Sequence, residues 1–277
     1  MTKPPLDTGT SPSGIRRFPD MLEVYHTRQA RAAAQAYDRL HAKGELRRPD
    51  GFWTWLLAEL AAVPGQRLLD VASGAGQFAA LAARSGLEVV AVDYSRRALG
   101  GHADEEDPPS RNQLQPDGRS AFARVQANGE RLPFADGRFD RVTNIGSLEH
   151  FADPASGAAE MARVLAPNGL ALILLPNAFS LRGTVFHAWR TGHQLDDGQP
   201  IQRYGTRGQW ARLLGAAGFS VERVLGCESF TPRPQGLRGW SPILRHPSRI
   251  LLLVDRKLPV NMAAEFIFVC RKAPGGR

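Results

Sequence analysis

Arg67-Leu68-Leu69-Asp70-Val71-Ala72-Ser73-Gly74-Ala75-Gly76-Gln77-Phe78 decides how the rest of the chain is read. It begins apolar, halts at an acid, turns through small residues and resumes as Gln77-Phe78-Ala79-Ala80-Leu81-Ala82-Ala83. That pattern predicts a buried strand, a tight loop and a helix, the opening unit of a parallel α/β sheet. Gly74 and Gly76 let the backbone bend where a side chain would collide and let a ligand lie against it. The amides at the helix start favour a negatively charged group. Gly74 to Ala79 also fits the dinucleotide fingerprint, with Asp93 at the end of the next strand. Two features oppose that reading. Asp70, four residues before Gly74, would repel a pyrophosphate but suits an amine, and more than sixty residues precede this strand.

The stretch resembles the first motif of class I S-adenosylmethionine-dependent methyltransferases, strand-Asp-x-x-x-Gly-x-Gly. The second strand, Glu88-Val89-Val90-Ala91-Val92, ends at Asp93-Tyr94-Ser95. The resemblance implies that Asp93 accepts hydrogen bonds from both ribose hydroxyls and that Tyr94 lies along the adenine. Ala127-Asn128-Gly129-Glu130-Arg131-Leu132-Pro133-Phe134 is similar to a Gly-Asp-Ala-Glu-x-Leu-Pro-Phe segment of the branch that includes ubiquinone-biosynthesis methyltransferases. Asn128 stands at the usual Asp position and keeps an oxygen for the adenine amino group, while Gly129 offers its N–H to a ring nitrogen. The cofactor set implied is Asp70, Ala72, Gly74, Gly76, Asp93, Tyr94, Asn128, Gly129 and Asn144, and the implied cofactor is S-adenosylmethionine.

The fourth strand, Phe139 to Asn144, runs into Ile145-Gly146-Ser147-Leu148-Glu149-His150. The Asn/Asp-Pro-Pro-aromatic signature of adenine- or glutamine-nitrogen methyltransferases is absent, and Leu148-Glu149-His150 matches the small-molecule branch. His150 is the candidate general base, since an imidazole titrates near neutrality. It reads equally well as a packing residue that orients the loop. Ser147 and Glu149 are weaker candidates for ligand contact.

Composition sets the outer bounds. A chain of 277 residues that is 43% hydrophobic with 28 glycines supports one sizeable α/β core. Cys227 and Cys270 form no zinc pattern or disulfide framework, no metal cluster is visible, and the N-terminus lacks a signal-type apolar run. A reduced, cytoplasmic protein is the default expectation. The net charge of +8 comes from 35 basic residues scattered against 27 acids, without the block that nucleic-acid binding favours.

The expected domain plan is a disordered tail over 1–18, a single methyltransferase domain over 19–272 and a short tail over 273–277. Within it lie N-terminal helices over 19–63, the cofactor-binding core over 67–175, and cap insertions over 177–204 and 228–262. A long helical pattern runs from about Asp20 to Lys43 and a second follows Asp50. Residues 103–119 read as a mobile loop. Thr206-x-x-Gln209 reads as a capping box, and strands follow at Phe219–Leu225 and Ala264–Cys270. The fold expected is a Rossmann-like, seven-stranded, mostly parallel sheet with helices on both faces, an antiparallel last strand and a small inserted cap.

In the family, the N-terminal helices pack near the cofactor cleft and often close over it, which makes Tyr25 and Tyr37 lid candidates, and insertions after the fifth strand commonly shape the acceptor pocket. The resemblance therefore nominates Tyr25, Tyr37, Phe186, Arg203 and Tyr204, with His187, Trp189, Arg190 and Gln202 as lesser members. Residues 243–257, with Arg245, Arg249, Arg256 and Lys257 around an apolar run, read as a packed cap helix or as a weak contact to an anionic membrane. The expected activity is methyl transfer to oxygen or nitrogen of a small-molecule acceptor. An RNA methyltransferase and a non-catalytic cofactor-binding protein stay open as alternatives, and the oligomeric state is not readable.

Overall fold

The computed structural model describes residues 14–27, 29, 32–33, 36–37, 48, 50–100, 122–228 and 258–274. The decisive stretch folds as its pattern predicts, with strand β2 at Arg67–Val71 and helix α2 at Gln77–Arg84. In chain order the other elements are strand β1 (Leu22–Tyr25), helix α1 (Asp50–Glu59), and strands β3 (Glu88–Asp93), β4 (Ala123–Gln126) and β5 (Phe139–Ile145). Next come α3 (Pro154–Val164), β6 (Leu165–Pro176), α4 (Phe186–Thr191), β7 (Ile201–Tyr204), α5 (Arg207–Ala216), β8 (Phe219–Cys227) and β9 (Glu265–Lys272).

Seven strands form one sheet in the order β4-β3-β2-β5-β6-β9-β8. The β2, β3, β4, β5 and β6 pairings are parallel, and β9 runs antiparallel to both β6 and β8. Strand order reverses between β2 and β5, so the chain leaves their C-terminal ends in opposite directions and opens a crevice there.

The sheet is buried from both sides, and the side-chain period of two sorts its residues between faces. Ala171, Ile173 and Leu175 of β6 join a core with Met161 of α3 and Trp210 and Leu213 of α5. Leu170, Leu172 and Leu174 turn the other way, onto Phe52 and Leu56 of α1 and Phe78 and Ala79 of α2. Asp153 caps α3 by accepting from the Ala155 amide, and Thr206 and Gln209 form the full capping box of α5.

The N-terminal part differs from its expectation in two ways. Leu22–Tyr25 is a strand rather than the start of a helix, pairing antiparallel with β7 from Leu22↔Tyr204 to Tyr25↔Ile201. The apolar spacing there fitted a helix, but pairing with a segment almost 180 residues away overrides local propensity. Helix is present at Ala32–Ala33 and Ala36–Tyr37. The tail boundary at residue 18 also falls too late, because Ile15 and Phe18 are buried and Arg16 donates to the Asp153 carboxylate. Two large apolar side chains among the small and polar residues were enough to dock that segment.

The segment after β6, expected as a cap insertion, holds a π-turn at Leu181–Val185, α4 and β7, with an isolated bridge from Asn177 to Gly205. Cys227 and Cys270 are buried free thiols. The loop read at 103–119, the basic stretch 243–257 and most of the second insertion lie outside the described residues. No helix among the described residues is long and apolar enough to cross a membrane.

Candidate active site

At the end of β2 the backbone turns through three left-handed residues: Ala72 (φ 54°), Gly74 (φ 56°) and Gly76 (φ 78°). For Ala72 this conformation costs roughly 1–2 kcal/mol. The positive φ favours glycine at Gly76, and a Cβ there would also lie 2.6 Å from Phe122 Cζ, so the ring would have to move aside. Gly76 is also the N-cap of α2 and supplies no side-chain cap, which leaves the first-turn amides for a ligand.

Two acids frame the loop. Asp93, at the end of β3, accepts from the Gly74 amide at 2.9 Å and the Ser95 amide at 2.8 Å, one on each carboxylate oxygen. It thus ties the neighbouring strand end to the glycine loop. A carboxylate at the end of the strand beside the glycine loop is a group of the kind that accepts from a pair of vicinal hydroxyls. Asp70 is buried in β2 and accepts from Thr143 Oγ1 at 2.7 Å. Burial raises its pKa to about 7, against the Thr143 hydrogen bond and with help from the Asp93 charge. A ligand ammonium placed beside it would favour the ionised form. A carboxylate at the end of β3, a buried acid suited to an amine and helix amides without a side-chain cap together fit an adenosyl amino acid.

The adenine side is open. Tyr94 is exposed beside Asp93, and Asn128 is exposed with its Oδ1 accepting from the Glu130 amide at 2.9 Å, which leaves one lone pair on that oxygen. Gly129 is fixed by packing, since a Cβ there would meet Phe151 at 2.6 Å. Asn144 departs from the expected cofactor role. It is fully buried, donates to the Val71 carbonyl at 3.0 Å and accepts from the Leu148 amide at 2.9 Å. Both ends of its amide hold the ends of β2 and β5 together.

Beyond β5 the chain makes a 3₁₀ turn at Leu148–His150, where a second cluster assembles. His150 Nδ1 lies 2.7 Å from the Ile201 carbonyl. A carbonyl only accepts, so the neutral ring carries its proton on Nδ1 and presents a lone pair at Nε2. Burial is the main reason that its pKa falls to about 4, opposed by the Ile201 carbonyl and Asp197. Glu149 is buried, and its Oε1 lies 3.7 Å from His150 Nε2. Burial raises its pKa to about 8, helped by Glu265 and Asp197 and opposed by Arg48. Arg48 is itself engaged by Glu265 in a two-pronged pair of 2.8 and 2.6 Å. Gly146 (φ 68°) passes between this pair and Glu149, with Arg48 Nη2 and Glu149 Oε1 each 3.8 Å from where a Cβ would sit.

The nominated pocket residues divide. Tyr204 is buried in β7, and burial with the nearby Asp197 charge pushes its hydroxyl up to about 12. Gln202, on the same face of β7, is buried with its Oε1 unpartnered among the described residues. Tyr37 stands 5.7 Å from the His150 ring, but its hydroxyl donates to the Ile201 carbonyl at 2.7 Å and accepts from the Ile201 amide at 3.2 Å. It is a peg that holds β7 against His150. The Tyr25 ring lies under the Arg17 guanidinium at 3.9 Å. Phe186 stacks on Trp189, 5.8 Å between centroids, on a helix that buries no residue.

Arg203 is the clearest correction. It is fully buried, and its guanidinium donates to Glu23 Oε1 and to the carbonyls of Glu149, Phe151, Arg16 and Ala152. A side chain so committed has no donor left for an acceptor molecule; it clamps the N-terminal segment, β1 and the His150 loop to β7. Its partners lie 51 to 187 residues away in sequence, so local sequence carried no sign of it. Glu149 gave a faint sign, because an acid between Leu148 and His150 at a strand end is placed to be buried. No group of three or more His, Cys, Asp or Glu among the described residues is arranged to hold a metal.

A doubly wound sheet with a glycine loop at its switch point and an acid closing the next strand defines the class I, S-adenosylmethionine-dependent methyltransferase architecture. The methyltransferase-domain family model matches residues 25–224, and the chain belongs to that family. It is 39% identical over 114 residues to a demethylmenaquinone methyltransferase of Clavibacter sepedonicus, covering 41% of this chain and 42% of that one. It is 34% identical over 152 residues to an uncharacterised methyltransferase of Mycobacterium sp. strain KMS, covering 54% of each. The chain thus spans only about half, or less, of the length of these curated relatives.

Among solved structures, the 1,6-didemethyltoxoflavin-N1-methyltransferase of Burkholderia thailandensis superposes with a TM-score of 0.55 at 19% identity, over 92% of this chain and 95% of that one. The [4+2]-cyclase SpnF superposes with a TM-score of 0.55 at 22% identity, over 87% and 83%. Structural neighbours this distant establish the fold alone, and a cyclase among them underlines that function rests with the site.

Proposed function

We propose that the protein transfers a methyl group from S-adenosylmethionine to an oxygen or nitrogen of a small-molecule acceptor. The observation that carries this reading is the polar cluster beyond β5. A neutral imidazole offers Nε2 with the buried Glu149 carboxyl beside it, on the turn after β5, and Ser147 of that turn donates to the Ala72 carbonyl in the loop after β2, between Asp70 and Gly74. The demethylmenaquinone methyltransferases among its relatives are named for a small-molecule acceptor, which supports the same class.

S-adenosylmethionine, when bound, supplies the electrophilic methyl group. Asp93 would hold the ribose hydroxyls, Asp70 the amino end and the α2 amides the carboxylate. The chain's main task is then positioning, because displacement at carbon needs the acceptor atom in line. His150 Nε2 accepts a hydrogen bond from the acceptor O–H or N–H and aims that atom. With a pKa near 4 the ring is wholly unprotonated at neutral pH, so the lone pair is always available. The same burial makes the imidazolium costly, so His150 acts first as an orienting acceptor and takes the proton only as the new bond forms.

The test is transfer of labelled methyl to a panel of hydroxylated and aminated metabolites, with bulk RNA in parallel. Label on a small molecule, lost in His150→Ala while S-adenosylhomocysteine still binds, is the expected result. Label on RNA alone, or tight cofactor binding with no transfer to a broad panel, would overturn the proposal.

A further inference from the structure

Glu149 is the most unusual side chain in the cluster. It is 4% exposed, and its Oε2 has no hydrogen-bond partner among the described residues. A buried carboxyl oxygen left unpaired forfeits the hydrogen bonds it would make in water, a loss that a ligand can recover. The groups that face it come from every packed element. Glu265 of β9 and Asp197 of the cap add negative charge, and Arg48 is spent on Glu265. Tyr37 and Tyr204 contribute hydroxyls, His150 is beside it, and Arg203 donates to its backbone carbonyl rather than its side chain. Ionisation here would place a charge on a buried group that no side-chain donor among the described residues is shown to stabilise.

Building on the methyl-transfer reading, we infer that Glu149 recognises the acceptor as a neutral carboxylic acid, donating its O–H to a carbonyl-type oxygen of an uncharged hydroxy-carbonyl compound whose hydroxyl rests on His150 Nε2. The geometry selects that class. Glu149 Oε1 lies 3.7 Å from His150 Nε2 and the unpaired Oε2 belongs to the same carboxyl, so one small molecule meets both groups with two polar atoms held on carbons one or two bonds apart. One site donates and the other accepts, so the bridging atoms must be one acceptor and one donor. Arg203 is charge-paired with Glu23 and has all five donors used, and the Arg48 charge is balanced by Glu265, so neither guanidinium brings an unbalanced positive charge for a carboxylate or phosphate on the molecule. The raised ionisation of Glu149, to about 8, agrees with a proton held through neutral pH.

The experiment uses the full chain saturated with S-adenosylhomocysteine. Infrared difference spectra of wild type and Glu149→Gln should show a protonated-carboxyl band at pH 7 that Glu149→Gln lacks and that fades as pH passes 8. Added 2-hydroxyacetophenone should shift that band, whereas salicylate, its carboxylate counterpart, should leave it in place. In the methyl-transfer assay on an active acceptor, Glu149→Gln should keep turnover at pH 7 within about threefold and lose the alkaline limb near pH 8. Glu149→Ala should fall about 100-fold. Absence of the band at pH 7, a response to salicylate instead, or Glu149→Gln as inactive as Glu149→Ala beside an active wild type would each overturn the inference. A wild type that methylates nothing would sink the proposed reaction instead, while the infrared arm still decides the state of Glu149.

Discussion

Replacing Arg203 with methionine separates a clamp from a pocket residue. Methionine fills most of the aliphatic stem but removes every donor of a fully buried guanidinium. Glu23 keeps one bond, from the Phe18 amide at 3.0 Å, yet loses its cation at 3.2 Å. The Ala152 carbonyl keeps the Arg16 amide at 2.9 Å, while those of Glu149, Phe151 and Arg16 lose the bonds of 3.0, 2.6 and 2.9 Å that Arg203 made. Removing one partner of a buried, hydrogen-bonded ion pair costs about 3–5 kcal/mol. For a chain of this size each kcal/mol moves the midpoint by roughly 2–4 °C, so the variant should melt about 10 °C lower. Thermal melting followed by circular dichroism reads this, with urea unfolding as a second measure. Arg203→Lys should recover only part, because an ammonium cannot reproduce the planar fork. If Arg203→Met melts within 2 °C of wild type and only raises KM for the acceptor, the clamp is wrong and the pocket role inferred from sequence is restored.

Asp93→Ala should weaken S-adenosylhomocysteine binding at least tenfold by calorimetry, about 1.4 kcal/mol, because it removes the ribose acceptor and releases the Gly74 amide; unchanged affinity would contradict the site. Gly76→Ala places a Cβ 2.6 Å from Phe122 at φ 78° and should cost about 1–3 kcal/mol of stability as well as cofactor affinity; a neutral melt would show that the loop relaxes freely. His150 gives a pH signature. Its folded pKa, about 4, lies below the unfolded value near 6.5, so its contribution is present above pH 6.5 and is lost as pH falls toward 4. Asp70 and Glu149, raised by burial, act in the opposite sense, losing stability as pH rises toward 7 and 8. The comparison that isolates His150 is wild type against His150→Gln, whose stability difference should shrink by on the order of 2–3 kcal/mol between pH 7 and pH 4.5 in urea titrations. A constant difference would mean that the ring is not held neutral.

By itself the sequence determined everything that depends on neighbours along the chain. The run from Arg67 to Phe78 specified strand, loop and helix, because alternation, a halting acid and glycines act over a few residues. Asp93 at the end of an apolar run, the capping box at Thr206 and the strand pattern through Cys270 were legible for the same reason. What only tertiary structure decided are pairings across the chain. Leu22–Tyr25 became a strand because β7 supplied its partner, and Arg203 became a clamp because Arg16, Glu23 and the His150 loop converge on it. Glu149 became a buried acid whose ionisation feels the charges of Glu265, Asp197 and Arg48, all distant in sequence. Burial and charge depend on which segments meet in space, and spacing along one stretch of chain cannot encode that.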